Sequence, residues 1–443
     1  MKKPALFALA LVIALIFTAC APAVQAPAAP AAPAAPAAPE TTAPAEAPVN
    51  KLTVWCWDPA FNIYAMETAG EIYKKAHPDF ELEVLEVPWD DIQTRIITAG
   101  TSGDWSTMPD ILLCQNNAYE KNVAAYPDLF IDLTDSGIPF DELAATGYST
   151  IGGRNYGVPF DNGTAVQVLR TDVLAEAGYT IADFTDITWD EYIVKAKDVK
   201  DKAGHALLSD QAGSSDVIMM MLQSAGSSLF NADGSLNIAN NAVLKEALRI
   251  YLEADKQGVL KHGNNWDEYI ASFVSGDVAG TINGCWILAS VQTIEDTAGK
   301  WSVTNVPKLN ISGGTNYTAN GGSSWGITSN SKNEELAIDF LKSTFVGSPE
   351  LFDTILPSSG AIANWLPAAN SSVYNEPQAF FAGQAIYADI IKFAGNVPKT
   401  NFGAYYYDAR DAVSTKIPDM LAGGSVDDLL KQAEDEAAFT ING

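Results

Sequence analysis

The chain has 443 residues, 47% hydrophobic, 10% aromatic and 18% charged, which is enough apolar material for the cores of two domains. Its formal net charge of −28 at pH 7 repels phosphate backbones and argues against nucleic-acid binding. No Lys/Arg cluster offers a basic pocket for a phosphorylated ligand, so the acidity reads as a well-hydrated surface.

In chain order, the first element is a targeting signal. Lys2 and Lys3 form a positive n-region, and Ala5 to Phe17 is an apolar run of h-region length. That run is shorter than the roughly 20 apolar residues a membrane span needs. Phe17-Thr18-Ala19-Cys20 puts small residues directly before a cysteine and resembles the lipobox of bacterial lipoproteins, with Phe17 where leucine is usual. The resemblance implies that residues 1–20 are a lipoprotein signal ending on a lipidated Cys20. Residues 21–50 are Ala/Pro low complexity with no periodic apolar face, so they cannot bury a core. Repeated proline favours an extended spacer of about 3.1 Å per residue, suited to tether a folded body to a membrane.

Folded sequence starts at Lys51. KLTVWCW is β-rich and predicts a strand, and Ile63 to Ala76 carries helical spacing, stopped by His77-Pro78. FELEVLEV alternates as a second strand, Asp90 to Ala99 as a helix, and Ile111 to Cys114 as a third strand. Strands alternating with helices predict parallel α/β layers. Farther on, YGVPF and TAVQVLR read as strands around the turn Asp161-Asn162-Gly163. Thr188-Trp189-Asp190-Glu191 and Ser331-Lys332-Asn333-Glu334 are capping boxes, each opening a helix, and Ser425 to Phe439 is a final amphipathic helix. There is no GxSxG elbow, HExxH, P-loop or GxGxxG. His77, His205 and His262 are scattered without metal-ligand spacing, so neither a metal nor a cofactor is expected. With Cys20 assigned to lipid, Cys56, Cys114 and Cys285 remain, an odd number that leaves at least one unpaired within the chain.

These segments, in this order, resemble the extracellular solute-binding proteins that include maltose-binding protein. The similarity runs over nearly all of residues 51–443. AHPDFELEV, MPDILLCQNN, YGVPFDNGTAVQVLR, GGSSWGITSNSKNEELAIDFLKSTF and NFGAYYYDARDAV carry it, and FVSGDVAGTINGCWIL is the most specific stretch. The resemblance implies an α/β, two-lobe periplasmic-binding-protein-like fold with the lobes joined by a multi-strand hinge. It places lobe 1 at 51–161 and 303–354, and lobe 2 at 164–302 and 355–443. It also implies closure on a ligand, delivery to the permease subunits of an ABC importer, and no catalysis. Cys56 and Cys114 end neighbouring strands in that fold. They form a disulfide only if their Cα atoms lie within about 7 Å, and strand alternation can equally point them apart.

A sugar needs flat aromatic rings for its C–H faces and planar polar groups for its hydroxyls. Open α/β sheets bind ligands beyond the carboxyl ends of their strands. The candidates there are Trp57 and Asp58 after the first strand, Gln115, Asn116 and Asn117 after the third, and Asp161 and Asn162 at the first crossing. Asp216 is expected at a helix start facing the cleft, with Gly321, beside Asn320, as a backbone contact, and Trp266 reads either as a rim stacking residue or as the hydrophobic start of a helix. Trp325 reads equally as a site residue and as a wedge in a Gly-Gly turn. By resemblance, Trp286 and Tyr406 stack on the sugar, with Tyr405 and Arg410 in the same late motif. Trp55 and Trp189 read as core. The expected protein is a lipid-anchored, extracytoplasmic monomer that captures a mono- or oligosaccharide and touches the membrane only through its lipid. Two alternatives are a glycoside hydrolase, with Asp58 and Asp161 as its carboxylates, and a polyamine or cation receptor using acids and cation–π contacts.

Overall fold

The computed structural model describes residues 50–400 and 402–442. The expected signal sequence, Cys20 and the tether through residue 49 lie outside the described residues. The strands in chain order are β1 (Lys51–Cys56), β2 (Glu81–Glu86), β3 (Ile111–Gln115), β4 (Thr150–Ile151), β5 (Arg154–Asn155) and β6 (Val158–Asp161). They continue with β7 (Ala165–Arg170), β8 (Leu208–Gln211), β9 (Leu260–Gly263), β10 (Gly280–Gly284), β11 (Trp301–Thr304) and β12 (Ser323–Ile327). Two α/β lobes result.

The sheet of the first lobe runs β2-β1-β3-β12-β6, parallel through β2, β1 and β3 and antiparallel at β12. Period-two alternation sends successive side chains to opposite faces, and both faces are covered. Leu52, Val54, Cys56, Ile111 and Leu113 enter one core with the helices Tyr64–Lys74, Glu334–Ser343 and Pro349–Ser359. Trp55, Leu112 and Cys114 enter the other core, beneath the helix Trp89–Ser102. Cys56 and Cys114 therefore lie on opposite faces of the sheet, and both are free and buried, as is Cys285.

The second lobe is built on the antiparallel sheet β10-β7-β11, with the parallel pair β8-β9 beside it. Along β7 the alternation again splits the cores: Ala165 and Leu169 pack on one side, Val166 and Val168 on the other. The Thr188 capping box forms in full, and Trp189 and Tyr192 behind it are buried edge to face, their ring centroids 5.4 Å apart. The Ser331 box does not form. Ser331 Oγ donates instead to Asp110 at 2.6 Å, and the helix opens from Asn333 without a side-chain cap.

Two boundaries differ from expectation. All of β11 pairs with β7, and Val303, Val306 and Leu309 pack in the second lobe's cores, so the chain returns near 319–322 rather than at 303. Ile355, Ala361, Trp365 and Ala368 pack in a first-lobe core while Leu356 and Ile362 pack in a second-lobe core, so residues 355–368 run along both lobes rather than switching at 355. Among the described residues no helix is long and apolar enough to cross a membrane.

Candidate functional site

Two of the passages of chain between the lobes lie side by side. The first leaves β6 at Asp161 and enters β7 at Ala165, and the second returns through Ala319–Gly322 into β12. Thr164 bridges Ala319, Ala165 N–H donates to Thr318 O at 2.9 Å, and Asn320 N–H donates to Gly163 O at 2.8 Å. Gly163 permits this approach: it has φ +62, and a Cβ there would stand 2.2 Å from Asn320 O. Asp161 is buried at the base of the crossing and accepts from Ser323 Oγ at 2.5 Å. Burial pushes its carboxyl up to about 6, against the hydrogen bonds from Ser323 and the backbone. Asn162 turns inward locally, its Oδ1 accepting from Thr164 Oγ1 at 2.9 Å.

Asn320 is the hub of this region. Its carbonyl accepts from Trp286 Nε1 at 3.0 Å, and its amide donates to Asn283 Oδ1 at 2.8 Å and Asp216 Oδ2 at 3.2 Å. Asp216 opens the helix Asp216–Ser224. It is also the main group favouring the positive charge of Arg410, whose own burial opposes that charge. Gly284 lets the indole of Trp286 fold back, because a Cβ there would lie 2.2 Å from Nε1 and 2.6 Å from Asn320 O. Gly321 has φ +78 and lies against the same indole. Trp266, 39% exposed, faces Trp286 with ring centroids 5.8 Å apart.

The first lobe contributes strand ends. Trp57 is half-buried beyond β1, while Trp55 is buried with the Arg95 guanidinium 4.7 Å over its ring. Asp58 plays a structural part, because its Oδ1 caps the π-helical turn Pro59–Ile63, accepting from Ala60 N at 2.9 Å and Phe61 N at 3.2 Å. Asn116 is buried, with its amide oxygen on Ser324 Oγ at 2.8 Å and its backbone N–H on Gly322 O at 2.9 Å. Gln115 Oε1 accepts from Tyr407 OH of the other lobe. Lys121 reaches across to Asp408 at 2.7 Å.

Aromatic rings run continuously between the lobes: Trp57 to Trp89 at 5.5 Å, Trp89 to Tyr407 at 6.3 Å, Tyr407 to Tyr406 at 5.2 Å, and Tyr406 to Phe402 at 5.1 Å. Tyr406 is buried within this run. Tyr405 is 39% exposed beside Lys121, and Arg410 lies 4.6 Å over the Tyr407 ring. Beside the crossing is a cavity of about 750 Å³. Its wall takes Asn116, Asn117 and Asn162 from the expected set, adds Tyr148, Gln223 and Phe402, and includes no tryptophan.

Trp325 is corrected. It is 0% exposed in the interior of the first lobe, its ring 5.4 Å from both Phe160 and Phe345, so it is core and cannot touch a ligand. Its place within β12 puts it on the same face as Ile327. Tyr407 belongs to the late aromatic motif beside Tyr405 and Tyr406, whereas Trp89, Tyr148, Gln223 and Phe402 were not expected at the site. Trp89 stands beside a recognised motif and Phe402 inside one, NFGAYYYDARDAV, whereas Tyr148 ends the short 3-10 turn Thr146–Tyr148, which carries no periodic signal. Among the described residues no group of three or more His, Cys, Asp or Glu is placed to hold a metal ion.

This architecture, two α/β lobes with polar and aromatic side chains gathered at their crossing, defines a solute-binding protein of the periplasmic type. The sequence profile of the bacterial extracellular solute-binding proteins matches residues 68–382, and the chain belongs to that family. It is 37% identical to a lactose-binding protein of Rhizobium radiobacter, over 88% of this chain and 93% of the relative. Its fold is similar to that of an ABC transporter associated binding protein from B. animalis subsp. lactis Bl-04, solved with beta-1,6-galactobiose. That likeness has a TM-score of 0.75 at 18% identity, over 89% of this chain and 97% of the other. It is also similar to maltose-bound T. maritima MalE3, with a TM-score of 0.72 at 20% identity, over 88% and 99% of the two chains.

Proposed function

We propose that this protein captures a sugar at the crossing between its lobes and passes it to the permease subunits of an ABC importer, without chemistry of its own. The observation that carries the reading is the Asn320 network. One residue joins Asp216 and Asn283 through its side-chain amide and the indole of Trp286 through its backbone carbonyl, beside the interlobe run of aromatic rings. Amides and carboxylates that donate and accept in fixed directions match sugar hydroxyls, and indole and phenol rings match sugar C–H faces. The neighbouring cavity of about 750 Å³ has the size of a small-molecule site and an amide-rich wall. The lactose-binding relative puts lactose first among the sugars to test.

In this reading Trp57, Trp286 and Tyr406 stack on the sugar. Asp161, Asp216, Asn117 and Arg410 address its hydroxyls, and Trp266 and Tyr405 form the rim. Cys20 carries lipid and holds a monomer at the outer face of the membrane through the Ala/Pro tether. The test is a melting series against mono- and oligosaccharides, with free monosaccharide measured in parallel. A receptor gains stability with ligand concentration as RT ln(1 + [L]/Kd) and releases no product. Product formation makes it a hydrolase. A shift with spermidine alone makes it a cation receptor.

A further inference from the structure

His262 lies in β9, outside the network described above, and its ring is gripped from both sides. Nδ1 is 2.6 Å from Asp210 Oδ1, and Nε2 is 3.1 Å from Asp255 Oδ1. A neutral imidazole has a single N–H and would turn a lone pair on one of these carboxylates, so the arrangement calls for the imidazolium. Asp210 is 6% exposed and also accepts from Tyr251 OH at 2.6 Å. Removing the imidazolium's proton thus leaves a carboxylate in the lobe interior with its charge unopposed.

Two short paths lead from this grip to the site. His262 pairs with Asp210 across β8 and β9, and Ala212 N–H donates to Gly263 O at 2.7 Å, which fixes the start of segment 211–215 leading into Asp216. Gly263 also packs against the backbone of Tyr269, where a Cβ would lie 2.6 Å from the Tyr269 nitrogen. Tyr269 OH accepts from Asn283 at 3.1 Å, and Asn283 accepts from Asn320.

We propose that His262 is a positioning residue for the site: bridging Asp210 and Asp255 as an imidazolium, it sets the segment that presents Asp216 to Asn320, so ligand affinity falls when the bridge loses its proton. The inference rests on the reading that the Asn320 network is the sugar site.

The titratable groups around His262 are Asp210 on β8, Tyr251 and Asp255 on the helix Ala242–Lys256, and, farther off, Tyr269 and Asp216. Its neighbour Lys261 is paired with Asp277. The hydrogen bond to Asp210 is the largest influence on His262 and raises its pKa against the opposing effect of burial. The bridge is therefore complete below the ordinary histidine value of about 6.5 and is lost as pH rises through the higher folded value.

The test uses the full chain with labelled histidine side chains and labelled Asn side-chain amides. The His262 signal is assigned by its loss in His262→Gln, and the Asn320 amide by its loss in Asn320→Asp. His262 is expected to titrate above its ordinary value, with the Asn320 amide shifting at the same midpoint. In parallel, lactose is titrated at pH 6 and pH 9. Wild type should lose at least about fivefold in affinity, while His262→Gln stays flat. The proposal is overturned if His262 titrates at or below about 6.5, if the Asn320 amide ignores that titration, or if wild type and His262→Gln share one pH profile. If no sugar binds wild type at either pH, the sugar reading fails, and the coupled His262 and Asn320 titrations decide the positioning role by themselves.

Discussion

Trp286 and Trp325 follow similar glycine-bearing turns, and the molecule uses them in opposite ways. Trp325 sits inside β12, where strand parity turns it into the first lobe's core between Phe160 and Phe345, and its indole N–H is buried without a partner. Trp286 sits just past the end of β10, where parity no longer applies. Its N–H donates to Asn320 O, and its ring borders the cores of both lobes. The difference shows that position relative to the strand end, rather than residue type or a preceding glycine, separates a tryptophan packed in one core from one left at the crossing between the lobes.

The largest expected effect breaks the packing side of this pair. Trp325→Ala removes a fully buried ring and should cost about 3–5 kcal/mol of stability, while the folded fraction binds normally. Trp325→Phe should cost much less, because the lost N–H had no partner. Thermal and denaturant melts check both.

Next comes Asp161 at the base of the crossing. Its folded pKa is raised from 3.8 to about 6, so the fold is favoured while the carboxyl is protonated, and that advantage disappears as pH rises from about 4 to 6. At about 1.4 kcal/mol per pH unit this amounts to about 3 kcal/mol, and Asp161→Asn should abolish that segment of the stability–pH curve. Identical curves for wild type and variant would mean that the carboxyl is not desolvated.

On the ligand side, Trp286→Ala and Tyr406→Ala should each weaken sugar binding by more than roughly tenfold, the order of a ~2 kcal/mol hot spot. Trp286→Ala should lower stability less than Trp325→Ala does. If both site variants melt early and bind normally when folded, both rings belong with Trp325. The smallest effect concerns the contact between lobes. Lys121→Ala removes a partly exposed pair with Asp408 and should change affinity by less than about fivefold, leaving the melt unchanged.

Much of the fold was legible because period and caps are local. The β1 and β3 alternation and the Thr188 box depend on near neighbours, and both stand in the structure as the pattern implies. The Ser331 box misled because Asp110, 221 residues away in sequence, takes the hydroxyl, and no local pattern reveals that competitor. The return crossing was placed too early because β11 is short and its partner β7 is distant in sequence. At the proposed site, Trp286, Asp161 and Tyr406 are the residues that the motifs themselves single out. The hub role of Asn320 is not singled out by them, since it exists only when the two crossings lie together. Tyr148, at the end of the short turn Thr146–Tyr148, carries no such signal, and packing alone brings its ring to 6.4 Å from that of Phe402.

The central claim is that the Asn320 network at the crossing is where ligand is held, and Asn320→Ala tests it most directly. The measurement is calorimetric titration of wild type and variant with whichever sugar gives the largest melting shift, lactose first. Losing the two amide hydrogen bonds to Asp216 and Asn283 should weaken binding more than roughly tenfold, while the far-ultraviolet spectrum and cooperative melt of a folded protein are kept. Wild-type affinity in a folded Asn320→Ala variant would contradict the account and move the binding site away from the crossing.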